Sequence, residues 1–359
     1  MLDKILEKVY NGEEVNREEA LILLKKCDLI TLGKTAHFIR NKIHNNSKIV
    51  TFVVDRNINY TNICKCKCKF CAFYRDKNDK DAYFLSFDEI FKKIEETINL
   101  EGTQILIQGG LHPDLKIDYF IELFSKIKER FNINIHGLSA PEICHIAENS
   151  KLTIKETIEK LKQAGLGSIP GGGAEILVNS VRKKISPNKI PWEKWAEVMI
   201  TAHELGLKST ATMMFGSIED EKDIIEHLFR IKEIQDKTGG FTAFICWSFQ
   251  PKNTALENVV KYKAGGVEFL KILAISRIVL QNMKNIQTSW VTQGAKVAQI
   301  SLFFGANDFG STMIEENVVK SAGVSFNLKK EDIIFLIKDA GFIPAQRDTF
   351  YNILKVLYD

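Results

Sequence analysis

The sequence predicts an α/β protein: a complete or partial (β/α)8 barrel of the TIM type, with helical extensions at its N- and C-terminal ends. Two observations carry this expectation. Apolar, β-branched runs of strand length alternate with amphipathic helical stretches six to eight times between residues 48 and 325. Residues able to bind or react follow directly on those runs: Cys64, Gly109, Ser139, Gly171, Gly216, Gln250 and Gln293. In a barrel such positions converge on one face, where the chemistry of the fold sits. A doubly wound open sheet is the architectural alternative.

Composition bounds the function. The chain has 359 residues, 45% of them hydrophobic, enough for a substantial core. The net charge of +4 is mild, and lysine and arginine are dispersed, so no nucleic-acid partner is expected. The start, MLDKILEKVYNGEEV, lacks the apolar core of a signal peptide. No window approaches about 18 consecutive apolar residues, so no membrane span is expected and the location reads as cytoplasmic. There, clustered thiols mean metal or catalysis more often than disulfides.

In chain order, residues 1–47 read as an N-terminal helical extension. Asn16 is an N-cap for REEALILLKK, with Glu19 as its capping-box partner. A second helix covers Leu32 to Ile43. The barrel, residues 48–325, opens with the strand run IVTFVVDRNI. The expected alternation is then helix 87–98, strand QILIQGG, helix 117–131, strand INIHGLS and helix 154–163. GLGSIPGGG is a short strand leading into a glycine-rich loop. Helix 192–205, strand KSTATMMFG, helix 221–235, strand FTAFICWSF and helix 267–282 follow. IQTSWVTQG and QISLFFGAND are the last strand candidates. Residues 326–359 read as an amphipathic, helical C-terminal extension.

Four of the seven cysteines lie in TNICKCKCKFCAFYR, residues 61–75. A closed zinc site needs four ligands, and the chain offers no second CxxC pair. Cys64, Cys68 and Cys71, in C-x3-C-x2-C spacing, suit a [4Fe–4S] cluster held by thiolates. Three ligands leave one iron open to bind a substrate or cofactor. A non-catalytic iron–sulfur carrier is the competing class.

This spacing, with Phe70 before the last cysteine and the loop directly after the first barrel strand, resembles the radical S-adenosylmethionine (SAM) superfamily. The resemblance implies an enzyme in which Cys64, Cys68 and Cys71 hold [4Fe–4S] and the open iron binds SAM. Cys66 falls inside the x3 and reads as a spare thiol. QGGLHPDLKIDYF, HGLSAPEI, GLGSIPGGGAEIL, TATMMFGSIED and FGANDFGSTMIEENVV resemble one branch, the futalosine-pathway and deazaflavin enzymes. Within it, CAFYR, CWSFQPKNT and SWVTQGAKVAQISLFFGANDFGSTMIEENVV are similar to the members that cyclise dehypoxanthine futalosine for menaquinone biosynthesis. Aminofutalosine-forming and tyrosine-using deazaflavin members are the alternatives. The resemblance also implies a small-molecule substrate and an external electron donor such as flavodoxin or ferredoxin.

Site residues follow from both readings. Phe70, Gln108, Gly109, Gly110, Ser139 and Glu175 are candidates for the cofactor. Backbone at a paired glycine admits a ligand closely, so a side chain at Gly110 is expected to weaken SAM binding and spare the cluster. Trp247, Gln250, Arg277 and Trp290 are candidates for the substrate. Arg277, amid apolar residues, needs a partner, either a substrate carboxylate or an internal salt bridge. Glu175, His136 and His112 are candidate acid–base groups, with hydrogen-bonded structural roles as the alternative for the histidines.

Overall fold

The computed structural model describes residues 1–358; Asp359, the end of the expected C-terminal extension, lies outside the described residues. The run IVTFVVDRNI forms one strand interrupted at Val54, giving β1 (Ile49–Val53) and β2 (Asp55–Ile58). The barrel continues through β3 (Gln104–Ile107), β4 (Asn134–Gly137), β5 (Leu166–Ile169) and β6 (Lys208–Phe215). Then come β7 (Phe241–Ser248), β8 (Asn285–Gln287) and β9 (Asp308–Ser311). Successive strands pair in parallel from β2 to β9. β9 then pairs with β1, Thr51 opposite Asp308, while β2 pairs with β3, Asp55 opposite Gln104. The ladder returns to the strand on which it began. With β1 and β2 counted as one strand, the ring is a closed eight-stranded barrel, and the expected fold class holds.

The helices start where the sequence says they should. Asn16–Glu19, Ser86–Glu89, Thr153–Glu156 and Asp220–Asp223 each form a capping box. The helix Ala140–Ser150 is the longest of those not anticipated. Ser139, read as a strand-end residue, is its N-cap, and Glu142 completes the box. The helices Leu2–Tyr10, Arg17–Lys26 and Leu29–Ile43 form the N-terminal extension. The last two pack on the helix Gly266–Val279.

Three expectations need correction. The C-terminal extension is helical only over Lys330–Asp339. It then supplies β10 (Ile343–Arg347), parallel to β1, and β11 (Ile353–Val356), antiparallel to β10. Pro344 is unsuited to a helix interior, and the first half of β1 offers an edge below the β2–β3 ladder. Neither IQTSWVTQG nor QISLFFGAND is a strand through its length: β8 ends at Gln287 and Trp290–Gln293 is helical. Ala295–Ser301 is helical, Gly305 turns the chain at φ +102°, and only then does β9 begin. Arg277 is wholly buried, lies outside the cavity lining and forms no ion pair among the described residues. Its guanidinium donates to the carbonyls of Gly305 (2.9 Å) and Met283 (2.9 Å) and to Asn307 Oδ1 (2.8 Å). It therefore ties the helix Gly266–Val279 to the turn before β9, a structural role.

Arg347, at the end of β10, forks onto Asp308 in β9: Nε to Oδ2 at 2.5 Å and Nη2 to Oδ1 at 3.0 Å, with both side chains buried. Thr51 in β1 donates to the same carboxylate at 2.5 Å. One carboxylate thus joins three strands where the ring closes. Arg347→Met strands the Asp308 charge and is expected to lower stability by about 3–5 kcal/mol, measured by chemical denaturation.

Candidate functional site

The cysteine loop leaves the top of β2. Its thiols and lysines alternate: Cys66 and Cys68 are buried, while Lys65, Lys67 and Lys69 are exposed. Backbone bonds sew the loop to its surroundings. Cys64 N–H donates to Arg75 O (3.1 Å), Lys65 N–H to Leu111 O (3.0 Å) and Lys69 N–H to Ile185 O (2.8 Å). Arg75 holds the far end, donating through Nη1 to the carbonyls of Ala72 and Tyr74 and pairing through Nε with Asp81.

All four thiols are free. Cys66 donates to the Asn188 carbonyl at 3.3 Å, and Asn188 Nδ2 donates back to Cys66 O at 3.3 Å. This thiol therefore anchors the loop to the segment after the helix Asn179–Ile185. The neighbouring Cys66 thiol, itself pushed up and kept protonated, draws Cys64 and Cys68 below the usual thiol range, Cys64 to about 6. Burial pushes Cys71 up to about 11.

The sequence reading missed the cation in this pit. Lys189 Nζ is 3.0 Å from Glu175 Oε1 and 4.8 Å from the centre of the Phe70 ring. Burial alone would lower its pKa, but Cys68 and Glu175 more than offset that and hold it protonated. Arg182, also buried, donates to the carbonyls of Ala174 (2.6 Å) and Gly173 (3.1 Å), and so fixes the glycine-rich loop. Glu175 there adopts φ +42°, a left-handed conformation that a non-glycine residue holds only under constraint. Its Oε2 is buried with no hydrogen-bond partner.

The predicted residues separate into two groups. Gln108, His136, Glu175, Trp247 and Trp290 line one cavity of about 310 Å³ inside the barrel mouth. Trp290 Nε1 donates to Ser311 O at 2.8 Å. His136 Nδ1 shares a 2.7 Å hydrogen bond with Ser168 Oγ, and burial followed by Arg347 lowers its pKa to about 3. The second group stands outside the cavity lining. Gln250 donates to the Ser248 carbonyl at 2.9 Å and bonds Ser248 Oγ, which also accepts from Gln293. His112 accepts from the Asp114 amide through Nδ1 at 3.2 Å, while its carbonyl meets His145. Ser139 Oγ donates to Glu142 at 2.6 Å, and the other carboxylate oxygen of Glu142 accepts from Gly109 N–H and Tyr60 OH, each at 2.9 Å. Asp55, Gln104, Arg347 and Tyr351 also line the cavity and carry no motif that marks them in the sequence.

Gly109 and Gly110 have a nearer reason than ligand approach. A Cβ on Gly109 would lie 2.6 Å from the Tyr60 ring. On Gly110 it would lie 2.2 Å from Ile63 O and 2.9 Å from Cys64 Cβ. Gly110 makes room for the cysteine loop itself.

The donor set fits an iron–sulfur cluster. Thiols in one sewn loop, a buried lysine and a carboxylate oxygen with no hydrogen-bond donor suit an anionic, thiolate-held group beside a hydroxyl-bearing ligand. Among the described residues no three of His, Cys, Asp and Glu gather as a single-ion site needs. Cysteines that each bind a separate iron have no such need.

Replacing Cys64, Cys68 or Cys71 by alanine is expected to abolish the visible absorption of anaerobically reconstituted iron, and Cys66→Ala to retain it. Gly110→Val is expected to lose that absorption too, because its side chain drives into Cys64. A cluster that survives in Gly110→Val with weakened SAM binding returns the glycine to a ligand role.

Residues 58–231 match the radical SAM superfamily, and residues 238–358 match the CofH/MqnC C-terminal region. The cyclic dehypoxanthine futalosine synthase of Halalkalibacterium halodurans is 46% identical over 359 residues, all of this chain and 96% of the relative. The 5-amino-6-(D-ribitylamino)uracil–L-tyrosine 4-hydroxyphenyl transferase of Methanocaldococcus jannaschii is 44% identical over 96% of this chain and 99% of its own. Among solved structures, methylornithine synthase superposes with a TM-score of 0.74 at 18% identity, over 95% of this chain and 97% of that one. The chain belongs to the radical SAM superfamily and is an enzyme.

Proposed function

We propose that the enzyme holds a [4Fe–4S] cluster on Cys64, Cys68 and Cys71, binds SAM beside it, and cyclises dehypoxanthine futalosine in menaquinone biosynthesis. When bound, the cluster and SAM supply a 5′-deoxyadenosyl radical able to take hydrogen from an unactivated C–H bond. In the net reaction the substrate loses the C4′ hydrogen of its ribose and bonds C4′ to its own benzoate ring. It then loses one electron and one proton.

The observation that carries this reading is the aromatic lining of the cavity: Trp247 and Trp290 stand in the walls of one chamber of about 310 Å³, suited to a substrate that carries an aromatic ring. An intramolecular closure needs no second substrate, only a folded one held in orientation. Glu175 Oε2, 3.6 Å from Arg182 Nη1 but without a hydrogen-bond donor, suits a ribose hydroxyl of SAM. Lys189 offsets negative charge at the thiolates. The flanking lysines face outward, toward an external one-electron donor such as flavodoxin or ferredoxin. No helix among the described residues is long and apolar enough to cross a membrane, in keeping with a soluble substrate.

A second reading rests on the archaeal transferases, whose identity to this chain is nearly as high. They are named for transfer of the 4-hydroxyphenyl group of tyrosine to 5-amino-6-(D-ribitylamino)uracil. A two-substrate reaction requires the chamber to hold both partners at once.

Incubation with dehypoxanthine futalosine deuterated at C4′ is expected to place deuterium in 5′-deoxyadenosine, one per product, by mass spectrometry. No label transfer, with turnover of tyrosine and the aminouracil instead, replaces this reading by the second.

A further inference from the structure

The proposed reaction releases a proton, and the cavity holds several groups able to accept one. In all but one, the partners already in place oppose taking up a proton. Glu175 is paired with Lys189 at 3.0 Å. Glu316 accepts the amide hydrogens of Val318 (3.0 Å), Val319 (2.8 Å) and Lys320 (3.0 Å). His136 is bonded through Nδ1 to Ser168, and its protonation would add a buried cation near Arg347.

Asp55 differs. It is the first residue of β2, beside the interruption at Val54, and it lines the cavity while only 3% exposed. Its carboxylate accepts from two neutral donors, Ser311 Oγ and Gln104 Nε2, the latter at 2.5 Å, and forms no ion pair among the described residues. Gln104 Oε1 is buried with no partner. Rotation of that amide would turn Oε1 toward Asp55, so the side chain can receive a hydrogen bond from a protonated carboxyl as readily as it donates to a carboxylate. Both protonation states of Asp55 are therefore satisfied in place.

We propose that Asp55 is the base that takes the ring proton after cyclisation. This rests on the reaction proposed above. Bonding of C4′ to a ring carbon leaves a cyclohexadienyl radical whose new sp³ carbon carries one hydrogen. That C–H bond breaks, its proton passes to an Asp55 oxygen, and one electron passes to the oxidised cluster, restoring the aromatic ring. Burial raises the carboxyl pKa, which strengthens the group as a base.

The test uses D55N in the reconstituted holoenzyme with C4′-deuterated dehypoxanthine futalosine. Asparagine fills nearly the same volume, and its amide can donate to the free Gln104 Oε1. Deuterium transfer to 5′-deoxyadenosine is expected to persist. Product per deoxyadenosine is expected to fall about 10²-fold or more, the scale of general-base catalysis. A substrate-derived radical should accumulate in freeze-quenched electron paramagnetic resonance spectra. D55E, which keeps a carboxylate, should regain coupling. One product per deoxyadenosine from D55N at the wild-type rate overturns the assignment, as does a D55E protein as uncoupled as D55N. Loss of label transfer in D55N makes Asp55 a positioning residue instead. Absence of label transfer in the wild type rejects the proposed reaction, an outcome distinct from all of these.

Discussion

The strand from Ile49 to Ile58 carries most of what this enzyme needs, because it belongs to both ends of the barrel. Its lower half pairs with β9 and β10, its upper half with β3, and Val54 separates the two. Without the β1–β9 pairing the sheet would have two open edges and no enclosed chamber. The fork from Arg347 to Asp308, with Thr51 on the same carboxylate, fastens that seam from inside. A fully buried ion pair is costly to desolvate, and this one keeps its cost low by satisfying both carboxylate oxygens. The same strand then places Asp55 in the chamber and delivers the cysteine loop at its mouth.

The loop illustrates how a flexible-looking segment is made rigid. Cys-Lys alternation over residues 64–69 works like a strand, one face to the pit and one to water, although few of its bonds are sheet bonds. Its amides instead reach Leu111, Ile185 and Arg75, three separate parts of the barrel rim. Gly110 lies so close to Ile63 and Cys64 that there is no room for a methyl group. Charge is handled in the same way. The exposed lysines are screened by water, so Lys189, buried under Phe70 and Glu175, supplies the cation that matters to the thiols.

What the sequence made legible was what local chemistry dictates. Capping boxes marked helix starts, β-branched runs marked strands, and C-x3-C-x2-C marked the loop. Gln108, His136, Glu175, Trp247 and Trp290 were legible as a group because strand ends converge in a barrel. The errors have one physical origin: partners distant in sequence. β10 is a strand because β1 offers an edge, which no local pattern records. Arg277 looked like a charge awaiting a carboxylate, yet four oxygens from the segments before β8 and β9 satisfy it. Lys189 sits in SPNKIPW, an unremarkable loop, and its importance comes from Cys68 and Glu175 being folded over it. Asp55 was read as part of a strand, since nothing in IVTFVVDRNI says which face the carboxylate takes.

That relatives at 46% and 44% identity bear the names of different reactions separates two layers of this architecture. On the proposed reading, radical generation belongs to the cysteine loop, Lys189 and the glycine-rich turn, and choice of reaction to the chamber lined by Trp247 and Trp290. A cyclase must bring two parts of one molecule together, so a narrow, rigid wall favours it. A transferase must seat two molecules, and it loses more translational freedom in doing so. Gln250 matters here although it lies outside the lining. Together with Gln293 it grips Ser248, at the end of the strand that carries Trp247, and so sets the position of the aromatic wall. Selectivity in this scaffold is therefore expected to be sensitive to the polar clamp behind the tryptophan as well as to the tryptophan itself.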